Sequence, residues 1–152
     1  MQQSLLQLFQ RDIQKLYFEI ELYQDESKLW TVLDGTSNSG GNLALHLIGN
    51  LNTYFGKNLG NTGYVRNREA EFGDKNIPKE ILLKSIEEAK QVVANVLSTL
   101  TDEQMKTIYT ENVLGYEMTT EYFLIHLHGH LTYHTGQINY HRRFMYYDFP
   151  KS

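Results

Sequence analysis

The chain of 152 residues balances 14 Lys and Arg against 18 Asp and Glu, for a formal net charge of −4, with two prolines and no cysteine. That length suits one domain around a single core, and so few prolines among a moderate apolar share exclude a disordered or collagen-like chain. Without cysteine there is no disulfide framework, thiolate metal site or cysteine nucleophile, and the scattered basic residues make no phosphate-neutralising stripe, so nucleic acid is not an expected partner.

Over residues 4–30, Leu5, Phe9, Ile13, Leu16, Ile20 and Tyr23 recur at steps of four and three, which predicts one amphipathic helix. Residues 34–41 are turn chemistry throughout, with Ser39 a suitable N-cap. Ser39-Gly40-Gly41 lacks the lysine and spacing of a phosphate loop and reads as turn and cap. A second helix is expected over 42–57, with Leu43, Leu47 and Leu51 as its apolar row and Asn42, His46 and Asn50 as a polar row beside it. Residues 56–76 hold Gly60, Gly63 and Gly73 with no helical period and read as a long loop, charged at Arg66, Arg68, Glu69 and Glu71. Pro78 opens a third helix to about residue 100, carrying Ile81, Ile86, Ala89, Val92, Val93, Val96 and Leu97. Thr101-Asp102-Glu103-Gln104 is a capping-box pattern for a short segment to residue 109. The last helix runs from about 119 to 147. The pattern predicts an all-α protein, a four-helix bundle with one long insertion between its second and third helices. No stretch approaches the roughly 18 uncharged apolar residues of a membrane span, and the opening residues lack the order of a signal peptide, so no membrane partner and a cytoplasmic location are expected.

Five of the six histidines fall in the last helix, at positions 126, 128, 130, 134 and 141. At about 100° per residue His126, Gln137, His130, His141 and His134 share an arc of roughly 80°, while His128 points nearly the opposite way and is expected at the surface. In H-L-T-Y-H, His130 and His134 stand at i and i+4, where two imidazoles can reach one ion, and His46 can supply a third from a facing helix. Three neutral imidazoles suit Zn²⁺, Ni²⁺, Cu²⁺ or Fe²⁺, with zinc or nickel first, better than Ca²⁺ or Mg²⁺, and leave a position for water or substrate. Spacing alone does not choose between this pair and His126 with His130. Gln137 can hydrogen-bond a ligand imidazole or bound water, His126 and His141 can support the ligands or lie further along the cleft, and a half-exposed, non-functional placement competes for both.

Arg66 and Arg68 can present guanidinium forks to a carboxylate or phosphate of a small-molecule substrate, although a solvated loop charge is the commoner role; Tyr64 beside them adds nothing. Arg142, Arg143 and Lys151 complement the negative end of the last helix. Tyr140, Phe144, Tyr146, Tyr147 and Phe149 read as core or as a contact between two bundles.

N-L-A-L-H-L-I-G-N-L on the second helix and H-L-T-Y-H-T-G-Q-I on the last resemble the DinB-like (YfiT-like) superfamily of metal-dependent helical bundles. The resemblance implies a metal triad of His46, His130 and His134, up-down-down-up helix order with the crossover after residue 51, and a homodimer. It further implies transfer or isomerisation chemistry with a low-molecular-weight thiol such as bacillithiol or mycothiol. Metal-dependent hydrolysis and a non-enzymatic interaction role are the alternatives. The segment G-N-T-G-Y-V-R-N-R-E-A-E-F looks like a subgroup signature to which no role is attached.

Overall fold

The computed structural model describes residues 1–147, and these are helical, with one isolated antiparallel bridge between Ile108 and Thr119. Helix α1, Gln2–Glu21, buries Leu5, Phe9, Ile13, Leu16 and Ile20, the row its spacing predicts. Phe9 is fully buried and alone contributes about 1.5–3 kcal/mol of transfer free energy. The expected first helix is broken in two: the chain leaves α1 at Leu22 and restarts as α2, Glu26–Leu29, where Asp25 caps the Ser27 N–H at 2.9 Å. A local cap overrides the apolar period there, and Tyr23 is still buried from the connecting turn.

Helix α3, Gly40–Leu51, begins at the Ser39 cap, whose hydroxyl accepts the Asn42 N–H at 3.1 Å. Gly40 and Gly41 are there for packing, since a Cβ on either would run into the Tyr23 hydroxyl or the Trp30 ring. The helix widens into a π turn, Asn52–Lys57, and closes as α4, Asn58–Gly60. The expected loop over 56–76 is partly helical, because Asn67 caps a short α5, Arg68–Gly73. Helix α6, Lys79–Thr99, buries Leu82, Ile86, Ala89, Val93, Val96 and Leu97, and here the expected row shifts: Ile81 is exposed while Leu82 continues the four-three spacing inward. The capping box forms as read, opening α7, Asp102–Lys106. Helix α8, Thr120–Met145, is capped by Thr119 and buries Phe123, Leu124, Leu127, Leu131, Thr135, Ile138 and His141.

Helix α1 packs along α6 and α8, α3 packs against the same two helices, and α5 lies on α3. The apolar faces meet in one cluster contributed by all four long elements. Of the aromatic run read as core or as a contact between bundles, Tyr140, Phe144 and Tyr147 are exposed and not in this core, Tyr146 receives the Asp25 N–H on its hydroxyl, and Phe149 lies outside the described residues, as does Lys151. Arg142 and Arg143 occupy the last turn of α8, and Arg142 also pairs with Glu19 at 2.8 Å. No helix among the described residues is long and apolar enough to cross a membrane.

Candidate metal centre

The polar row on α3 has a separate task for each member. Asn42 donates its amide to the main-chain carbonyls of Glu71 at 3.0 Å and Asp74 at 2.9 Å, which fastens α5 onto α3. Gly49 lets the two approach, because a Cβ there would overlap the Glu71 carboxylate. Glu71 is thereby buried, 5 % exposed, and its charge is met from two sides. Arg66 binds it bidentately at 2.6 and 2.9 Å, and the His46 Nδ1–H donates to Oε2 at 3.0 Å. With Nδ1 committed, His46 turns Nε2 toward α8, where Asn50 stands 3.4 Å away.

His130 meets it there, with the two Nε2 atoms 3.2 Å apart. His134, one turn further along α8, completes a group in which one ligand atom from each ring lies within 4.8 Å of the others. Its Nδ1–H donates to Gln137 Oε1 at 2.6 Å, which leaves Nε2 available. Burial makes protonation costly, and it pushes the His46 and His134 pKa values down; for His130, burial together with the neighbouring imidazoles brings the value to about 3. Three neutral rings therefore face one another near neutral pH. Lone pairs converging at this distance repel unless a proton or cation stands between them, and two of the rings have Nδ1 fixed by hydrogen bonds of the kind that orient metal ligands. The donor set fits a divalent transition ion bound through imidazole nitrogen.

Pockets open on both sides of the triad. The larger, about 590 Å³, is bounded by the 33–38 turn and by Tyr133, His134, Gln137, Tyr140 and Phe144 of α8. The smaller, about 170 Å³, is bounded by His46, His130, His126, Asn50, Tyr54 and Arg68, with apolar walls from Val113, Phe123 and Leu127.

A family model described as a protein of unknown function, DUF1572, matches residues 6–148, nearly the whole chain. The chain belongs to this family. DUF1572 is a DinB/YfiT-like family, in agreement with the resemblance carried by the motifs of α3 and α8. None of the curated proteins matches the chain.

The other residues singled out from the sequence of this DUF1572 protein are distributed differently. Gln137 contacts the triad through His134. His126 is exposed, its ring 6.5 Å from that of His130, on the wall of the smaller pocket. His141 is buried away from the triad with both nitrogens taken, Nδ1 by the Tyr23 hydroxyl at 2.6 Å and Nε2 by the Thr31 carbonyl at 2.8 Å. Angular position on α8 is shared with His134, but seven residues amount to about 10 Å along the axis, and different neighbours stand there. His128, expected at the surface, packs half-buried against α1, donating to Asp12 at 2.8 Å beside the Phe9 ring. Arg66 is spent on Glu71, whereas Arg68 makes no ion pair among the described residues and lies near the Phe72 face. Glu71 is the residue that sequence reasoning passed over. Its only signals were Gly49, three residues after His46 on a polar row, and its place in the segment without an assigned role.

Proposed function

We propose that this DUF1572 protein is a metal-dependent enzyme, a single-domain four-helix bundle of up-down-down-up order, in which His46, His130 and His134 hold one divalent ion, zinc or nickel. The observation that carries this reading is the convergence of one nitrogen from each of three imidazoles within 4.8 Å, between two open pockets. A purely structural histidine cluster would be closed to ligands.

When bound, the ion supplies Lewis acidity that lowers the pKa of a thiol or water and stabilises developing negative charge. The chain's own groups do the rest. Glu71 fixes the His46 tautomer and is itself held by Arg66, Gln137 does the same for His134, and the α3–α5 contact keeps the Nδ1 side of His46 away from water. Because the chain has no cysteine, a thiol nucleophile comes from outside. The sharpest form of the proposal is transfer of a low-molecular-weight thiol: the thiol gives its proton to solvent, its sulfur forms a bond to an electrophilic carbon of a small organic substrate, and the bond from that carbon to the leaving group breaks, the leaving group departing with the bonding pair. A homodimer is the proposed assembly, with the exposed aromatics of α8 as its contact.

Elemental analysis of untagged protein, followed by Co²⁺ substitution and addition of bacillithiol, tests this. Stoichiometric metal with a thiol-dependent change in the d–d spectrum is the expected result. A spectrum that responds to azide or cyanide but not to thiol points to metal-assisted hydrolysis. Absence of metal leaves a non-enzymatic bundle and overturns the proposal.

A further inference from the structure

The two pockets flanking the triad differ in sign as well as in size. Among the residues bounding the larger one the single charged side chain is Asp34, and Leu33, Leu43, Tyr133, Tyr140 and Phe144 give it apolar surface. The smaller one contains no acidic side chain and has Arg68 at its edge, with His126 and Asn50 as further N–H donors. At about 590 Å³ the first falls within the range of pockets that hold a whole organic ligand, while about 170 Å³ is room for only a few heavy atoms. Arg68 lies near the Phe72 face but makes no ion pair among the described residues, so its N–H groups are not held by a carboxylate as those of Arg66 are, and they border a small polar pocket.

We infer that the small pocket is a carboxylate subsite, in which Arg68 with His126 receives a carboxylate-bearing ligand, or the carboxylate arm of a larger one, beside the His46–His130–His134 triad. The inference deepens the metal-enzyme proposal and rests on it for the subsite's place next to an ion, though not for its charge selectivity. It divides the labour of the two loop arginines, Arg66 ordering the triad through Glu71 and Arg68 meeting the ligand. Guanidinium matches a carboxylate with two parallel N–H donors, and an apolar back wall of Val113, Phe123 and Leu127 strengthens that contact by limiting water. The opposite pocket, with no cation, is left to an uncharged apolar body.

Acetate is the probe, with acetamide as its uncharged counterpart, titrated into ¹⁵N-labelled protein in metal-free and Zn²⁺-loaded forms while the arginine side-chain N–H signals are followed. The expected result in both forms is a saturable acetate shift of the Arg68 signal, little response to acetamide, at least about tenfold weaker binding in Arg68→Ala and partial recovery in Arg68→Lys. Arg68 is exposed, so neither substitution threatens the fold. No saturable shift, an equal response to acetamide, or undiminished binding in Arg68→Ala would overturn the subsite. Acetate binding that survives Arg68→Ala only in the Zn²⁺ form identifies the ion as its site, which refutes the subsite and leaves the metal reading standing. Arg68-dependent binding in a protein that takes up no metal does the reverse.

Discussion

Two groups of histidines on α8 show opposite uses of one side chain. His128 and His141 face elements outside the triad and are satisfied there, the first by the Asp12 carboxylate and the second by the Tyr23 hydroxyl and the Thr31 carbonyl. His130 and His134, on the same helix, turn ring nitrogens toward His46, so that one nitrogen from each of the three rings lies within 4.8 Å of the others. Burial does not separate the groups, because His128 is half-buried, as His130 and His134 are. What separates them is whether ring nitrogens converge on one another, and that depends on the helix each ring is turned toward. Asp12 illustrates the satisfied side: burial pushes its carboxyl upward, but hydrogen bonds from Arg11, Lys15 and His128 outweigh this and hold it well below the usual carboxylate range.

The largest test of this contrast is metal content. His46→Ala, His130→Ala and His134→Ala should each lose stoichiometric metal, while His141→Phe should keep it; elemental analysis of untagged proteins decides, and full metal in any of the three alanine variants would erase the distinction. Next comes the support of the triad. Glu71→Gln removes the anionic acceptor of His46 and should weaken metal binding by about 10–100-fold in competition with a chromophoric chelator. Gly49→Ala should act in the same direction by displacing that carboxylate, against the roughly 1 kcal/mol gain that helix propensity alone would give.

On the satisfied side, Tyr23→Phe leaves the buried His141 Nδ1 without its donor and should cost about 1–3 kcal/mol in urea unfolding, with metal affinity unchanged. The smallest effect lies in the pH profile of the metal-free protein. Histidines at 46, 130, 134 and 141 have folded pKa values below the ordinary 6.5, so they stay neutral in the fold and take up protons on unfolding. Their contribution is fully present above about pH 6.5 and declines as pH falls toward about 3, the folded value of His130. Replacing His130 by Ala should make that decline shallower by no more than one proton's worth, read from unfolding midpoints between pH 8 and 5.

Much of this protein is local enough to be legible in its sequence. The row of α1, the Ser39 cap and the Thr101 capping box follow from periodicity and from hydrogen bonds within one turn, and His130 with His134 needs only helical spacing. The break after Leu22 and the inward turn of Leu82 escaped the same reasoning, because a cap or a neighbouring helix outbids a weak local period. The role of Glu71 was illegible for another reason: it is 25 residues from His46, and only the fold of α5 onto α3 makes them partners.

The sequence by itself determined the helical class, the absence of any thiol and the face of α8 on which imidazoles gather, since each is a property of composition or of spacing within one helix. Tertiary structure alone decided which nitrogens converge, which arginine is spent on a carboxylate and which one borders a pocket. Those outcomes depend on atoms brought together from distant segments, and no regularity along the chain encodes such a distance.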